Sequence, residues 1–242
     1  MLEVQGVVKK FGGLVAVNNV DLTVRKGEIL GLVGSNGAGK TTLLNIISGI
    51  CRPDSGSVYF KDMNITGMNL DKICKAGISK TFQHAQLFPG LTACEGVTVS
   101  ALFGNHHRLR RDDAEREARA HLTFVGLPPE KHDTPLAHLN MIELRRVQLA
   151  RALASQPQIL LLDELTTGLN PSEGTEAIQL IRKMRDRGIT IVMIEHVMRV
   201  IMGVSDRIVV LDQGEKIAEG TPEEIVRNPA VIESYLGKNY AQ

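Results

Sequence analysis

Residues Glu28 to Thr42 read EILGLVGSNGAGKTT. The nearly unbroken apolar run up to Val33 suits a strand buried on both faces, hence one near the centre of a sheet. The run breaks into a glycine-rich turn, and TTLLNIISG then reads as a helix that stops at Gly49. Gly34-Ser35-Asn36-Gly37-Ala38-Gly39-Lys40-Thr41 matches the P-loop pattern in full, with Thr42 following. Glycines let backbone N–H groups wrap a phosphate chain without Cβ clashes. Lys40 brings a positive charge to the β- and γ-phosphates, and Thr41 offers a hydroxyl to Mg²⁺. A chance glycine-rich turn would lack the flanking strand and helix that this one has.

Outward from this turn, strands are expected at Leu2 to Val8, Val20 to Val24, Val58 to Phe60 and Ile78 to Phe82. After FPGLT the pattern changes. Helices are expected at Cys94 to Leu102, Asp112 to Val125 and Ile142 to Ser155, with no strand between them. Strand character returns at QILLLDE and TIVMIE, separated by a helix near Glu173 to Arg187. Met198 to Val204 reads as helical, RIVVLDQGEKIAEG as a hairpin turning at Gly214, and the tail as two short helices, with Thr221 and Pro222 at cap and first-turn positions. The expectation is an α/β fold with a mainly parallel central sheet, an antiparallel β subdomain from the N-terminal strands, and an α-helical subdomain at about 90–155 inserted into one domain of 1–242.

Ile159 to Glu164 reads ILLLDE: four apolar residues, then two carboxylates. A buried strand would deliver Asp163 to its carboxyl end beside the P-loop, where it could hold Mg²⁺ through water. Glu164 would polarise the water that attacks the γ-phosphate. Taken alone, the pair is equally a strand ending in solvated acids; an intact P-loop tips the reading.

Ala137 to Leu153, AHLNMIELRRVQLARAL, is harder to read. Asn140 suits a helix cap, and Met141, Leu144, Val147, Ala150 and Leu153 recur every third residue as an apolar face. Arg145, Arg146 and Arg151 near a helix N-terminus suggest an anion site. Yet no glycine lets a phosphate approach, and Glu143 puts a negative charge where an anion would sit.

The order of marks resolves part of this. P-loop, Gln83 after a strand, helical block, ARAL, LLLDE, then His196 after the next strand resembles the nucleotide-binding subunit of ABC transporters along essentially the whole chain. KTFQHAQLFPGLT, the Gly168-to-Pro171 loop, IEHVMRVIMGVSDRIVVLDQGEKIAEGTPEEI and VIESYLG resemble the branched-chain amino acid and amide importer branch; lipopolysaccharide-export ATPases share much of this ending. The resemblance implies ATP and Mg²⁺ as ligands. It also implies that Phe11 stacks on adenine, that Gln83 touches Mg²⁺ and senses the permease, and that His196 contacts the γ-phosphate. Leu87, Phe88 and Pro89 would help receive a permease helix. In that family the segment before ARAL binds the γ-phosphate of ATP held by a second ATPase subunit, with a sequence such as LSGGQ. Here Leu139 to Glu143 stand there: Asn140 for Ser, Ile142 for the key Gly, Glu143 for Gln, with Met141 between. Leu165 and Asn170 are milder departures. A signature altered in this way is either a different but working tip in this branch or the mark of a heterodimer with a different ATPase, and the second is expected. Transmembrane permeases, a periplasmic or extracellular binding protein and a seat on the cytoplasmic membrane face complete the implied system.

Composition excludes more than it selects. A formal net charge of +1 predicts no strong attraction to nucleic acid or anionic lipid. No apolar run approaches the roughly 20 residues of a spanning helix, and the N-terminal MLEVQGVVKKF reads as a strand rather than a signal peptide. Cys51, Cys74 and Cys94 show no CxxC pairing and suit a reducing compartment. His106 and His107 lie in a mixed-charge run without companion ligands, and an exposed segment is expected there.

Overall fold

The computed structural model describes residues 1–81, 90–104, 109–165 and 170–236. The chain divides into two compact units: Met1–Leu70 with Thr166–Gln242, and Asp71–Leu165.

The first unit begins with β1 (Leu2–Phe11) and β2 (Leu14–Val24), an antiparallel hairpin whose register shifts at bulges. After β3 (Ile29–Val33) and α1 (Lys40–Ile47) come β4 (Ser55–Phe60) and β5 (Met63–Asn64). Four strands form an antiparallel sheet in the order β2-β1-β4-β5. Alternation puts Leu2, Val4, Val17, Val20, Leu22 and Val58 in the core, as period-two patterning requires.

The second unit opens with α2 (Leu70–Ala76) and β6 (Ile78–Lys80), then packs α3 (Ala93–Phe103), α4 (Arg111–Phe124) and α5 (Met141–Ala154) against one another before β7 (Ile159–Asp163). β6 and β7 pair in parallel. Ala93, Val97 and Ala101 of α3 and Ala114, Ala118 and Leu122 of α4 are buried, so small residues let these helices approach closely.

The chain returns to the first unit with α6 (Pro171–Asp186), β8 (Thr190–Ile194), α7 (Met198–Val204), β9 (Arg207–Asp212), β10 (Glu215–Gly220), α8 (Pro222–Val226) and α9 (Pro229–Leu236). β3 pairs in parallel with both β8 and β9, and β10 closes antiparallel on β9. Every residue of β3 and β8 is buried, which is why both read as continuous apolar runs. Gln213 and Gly214 both have positive φ, at 46° and 86°, so the predicted hairpin turns through two left-handed residues.

Several elements differ from expectation. α2 was not anticipated: it is one short stretch in which only Ile73 is buried, too little for a periodic signal. β1 runs on to Phe11 and β2 starts at Leu14, because ladder pairing carries Lys9 and Lys10 despite their polarity. The apolar face of α5 begins at Val147; Met141 is 65% exposed and Leu144 is half-buried.

Candidate functional site

The turn after β3 is shaped by two close approaches. A Cβ on Gly34 (φ 150°) would lie 2.1 Å from the Leu211 carbonyl oxygen, and one on Gly39 (φ 97°) would lie 2.2 Å from that of Ala16. Both neighbours are backbone, so neither can yield. The loop is thus wedged between β2 and the end of β9 by residues that must lack a side chain. The β9–β10 turn braces it: Gly214 N–H donates to Ala38 O (3.2 Å), and Asn18 N–H donates to Gly214 O (2.8 Å). Ser35 Oγ donates to Asp212 Oδ1 at 3.4 Å.

Lys40 is buried, and its Nζ donates to the carbonyls of Gly34 and Ser35 at 2.8 Å each. Ser35, Asn36 and Gly37 are exposed at the loop tip, Ala38 is buried, and Thr41 and Thr42 open α1, exposed and half-buried respectively. α1 has no side-chain cap and no acidic residue in its first turn. Its first N–H groups and the positive end of its dipole are therefore not claimed by a capping side chain, the condition for an anion to bind.

In the same unit Phe11 is 52% exposed at the end of β1, with Lys9 Nζ 5.4 Å from its ring centre. His196 is exposed just after β8. In the other unit Asp163 ends β7, and its Oδ2 lies 3.1 Å from Lys80 Nζ. Its Oδ1 is buried without a hydrogen-bond partner. A bare buried carboxylate oxygen beside a satisfied one fits a site for a hydrated cation, so Asp163 suits the metal implied above. Glu164 follows with φ 54°, a left-handed conformation that costs a non-glycine residue energy. Gln83 lies outside the described residues, as do Leu87, Phe88, Pro89, Gly168, His106 and His107.

The puzzling stretch at 137–153 has a local explanation. Asn140 caps α5: its Oδ1 accepts from Glu143 N–H at 2.9 Å, and Glu143 Oε2 accepts from Asn140 N–H at 3.0 Å. This capping box satisfies two backbone donors reciprocally. The Glu143 carboxylate also lies 3.6 Å from Lys131 Nζ. Arg146 donates to Gly126 O at 2.6 Å, and burial draws the Arg151 guanidinium below its ordinary value. The box is visible in the sequence as Asn-x-x-Glu, a signal the anion-site reading of Glu143 passes over. Asn170 caps α6 in the same way, accepting from Ser172 and Glu173 N–H at 3.0 Å each. Sequence reasoning missed Lys80, whose partner Asp163 is remote in the chain.

A parallel α/β core, a glycine-wedged phosphate loop and a strand ending in Asp-Glu define a nucleotide triphosphatase of the P-loop class. The chain belongs to the ABC transporter family, whose profile matches residues 17–167, and it is an ABC-type ATPase. The profile described as branched-chain amino acid ATP-binding cassette transporter matches residues 215–241. The high-affinity branched-chain amino acid transport ATP-binding protein LivG of Salmonella typhimurium is 40% identical, with 98% of each chain covered. BraF of Pseudomonas aeruginosa, described in the same terms, is 38% identical over 98% of each chain. The lipopolysaccharide export ATP-binding protein LptB of Acidithiobacillus ferridurans is 32% identical, covering 99% of this chain and 98% of that one. Among solved structures, a nucleotide-free ATP-binding cassette from an ABC transporter superposes with a TM-score of 0.89 at 27% identity, covering 98% of this chain and 99% of that one. A dimeric cassette in a post-hydrolysis state with ADP and Pi reaches 0.84 at 30% identity, over 92% and 99%. The expected α/β P-loop fold and family are therefore borne out.

Proposed function

We propose that this chain is the ATP-hydrolysing subunit of an importer for branched-chain amino acids or related amides. The observation that carries this is near-complete two-way coverage by LivG and BraF, together with a C-terminal segment matching the branched-chain cassette profile. Among the described residues no helix is long and apolar enough to cross a membrane. In this reading the chain sits on the cytoplasmic membrane face through permease subunits, in a system that includes an external binding protein, and residues 90–155 form the inserted helical subdomain.

The loop Gly34 to Thr42 cradles the phosphates, and Lys40 trades its two carbonyl bonds for phosphate oxygens. Phe11 offers a ring face to adenine. Glu164 orients and polarises the attacking water, and His196 steadies the γ-phosphate. By the family resemblance Asp163, Thr41 and Gln83 are the residues that would hold Mg²⁺, and the ion when bound would neutralise charge on the transferring phosphoryl group.

The α5 N-terminus supports a heterodimer. Its capping box keeps Glu143 at the helix tip, and Ile142 carries a branched side chain where the family's signature has glycine. A partner ATPase with an intact signature would complete the site built on Lys40 and Glu164, leaving the other site slow.

Reconstitution with the permeases and binding protein in liposomes tests the function. ATPase activity stimulated by the binding protein loaded with leucine, isoleucine or valine is the expected result. Stimulation by lipopolysaccharide instead, or ATPase that ignores the binding protein, would overturn the importer reading.

A further inference from the structure

Lys80 is the last residue of β6, and its ammonium and the Asp163 carboxylate are almost completely enclosed, with side chains 4% and 2% exposed. The next residue also holds Asp163: Thr81 Oγ1 accepts from Asp163 N–H at 3.2 Å, and Thr81 N–H donates to Leu161 O at 2.9 Å. Two consecutive residues thus fix the aspartate at its backbone and at Oδ2. Oδ1 is left buried and without a hydrogen-bond partner.

A buried ion pair rarely stabilises a fold more than apolar residues of the same volume would, because both ions lose their hydration. A pair that also leaves one carboxylate oxygen bare is poorer still. Stability is therefore a weak reason for a lysine here. The arrangement makes sense for a carboxylate that must stay oriented whether or not a metal is present.

The geometry points to Lys80 as a positioning residue: the resident counter-ion of Asp163, holding Oδ2 so that Oδ1 is presented to Mg²⁺ and standing in for the ion's charge between nucleotides. This rests on the reading of Asp163 as the metal-holding carboxylate. It has a consequence that a purely structural ion pair lacks. Without the ammonium, the enclosed carboxylate depends on the metal for its countercharge, so metal binding must stabilise the altered protein more than it stabilises the original.

The test uses melting of the full chain in EDTA with a non-hydrolysable ATP analogue, and again with the analogue and Mg²⁺. Lys80→Met should melt roughly 6–12 °C below the original in EDTA, and Mg²⁺ should close much of that gap. Lys80→Arg should behave like the original. A gap of the same size in both conditions would make Lys80 merely structural and overturn the inference. If Lys80→Met does not fold, Lys80→Gln is read in the same two conditions: its gap should again narrow with Mg²⁺, and an unchanged gap overturns the inference. Asp163→Asn separates the two readings. It should abolish the part of the stabilisation that requires Mg²⁺. If that part survives, the metal role of Asp163 fails and the role of Lys80 falls with it. If it is lost while Lys80→Met shows an unchanged gap, only the role of Lys80 fails.

Discussion

Two helix N-termini in this protein are built on opposite plans. α1 starts after a left-handed glycine, without a capping side chain and without an acid in its first turn. α5 starts with Asn140 and Glu143 locked in a capping box. α3, α6 and α8 follow the second plan, with Thr92/Glu95, Asn170/Glu173 and Thr221/Glu224. Those four helices are closed by their own side chains, whereas α4 and α7, like α1, have no side-chain cap, so what sets α1 apart is the glycine turn that precedes it. The helix proposed to take up phosphate is uncapped, and its loop is held in shape by backbone contacts from β2 and β9. α5 follows the capping-box plan at the position where the sequence resemblance implies a signature for a second nucleotide, which makes it the informative case.

The largest effect that would sharpen this contrast is on turnover. Glu164→Gln should lower hydrolysis by about 10²-fold or more while nucleotide affinity stays near its original value. Lys40→Ala should weaken affinity itself by roughly 10- to 100-fold, the worth of a charge-assisted contact. Fluorescent-nucleotide binding measured beside phosphate release would distinguish the two, and equal loss of binding in both variants would contradict the assigned roles.

The next effect concerns the assembled complex. Lys40→Ala in this chain should remove most ATPase activity, whereas the equivalent change in the partner should leave a substantial fraction, since a poor γ-phosphate donor costs about 10²-fold at its site. High activity of this chain purified alone, as a homodimer, would break the comparison, because both of its sites would then use the closed α5.

Smaller effects bear on the scaffold. Gly34→Ala forces a Cβ to within 2.1 Å of the Leu211 carbonyl. It should lower the melting temperature by several degrees, about 2–4 °C for each kcal/mol of strain, and should also weaken nucleotide binding. Asn140→Ala removes one cap and should cost about 1 kcal/mol, read as a shift of roughly 2–4 °C in melting temperature. A change in ATP affinity of the chain itself on that substitution would argue that α5 is not simply closed.

The same contrast explains what could be read from the sequence. The open terminus was legible because glycine, lysine and threonine at fixed spacing have few other uses. The buried strands were legible because a strand covered on both faces is apolar throughout, as Ile159 to Leu162 are. The closed terminus was half-legible: Asn140 reads as a cap, but Glu143 can be either a cap partner or a repulsive charge until its carboxylate is seen turned back on Asn140 N–H. Lys80 was not legible at all. Its partner lies 83 positions away, and nothing local distinguishes an enclosed lysine from one at a strand end in water. α2 escaped because seven residues with one buried side chain carry no period.

The left-handed turn at Glu164 also bears on how this protein can be engineered. Its φ of 54° is one that glycine adopts freely and glutamate adopts at a cost. A selection for thermal endurance alone, blind to turnover, would drift toward glycine there, and each such gain would remove the carboxylate assigned to the water. Libraries screened only for expression or heat resistance should therefore be enriched in folded, nucleotide-binding, inert cassettes. The conformation of this one residue sets robustness against work, and only a screen that counts released phosphate will keep the glutamate.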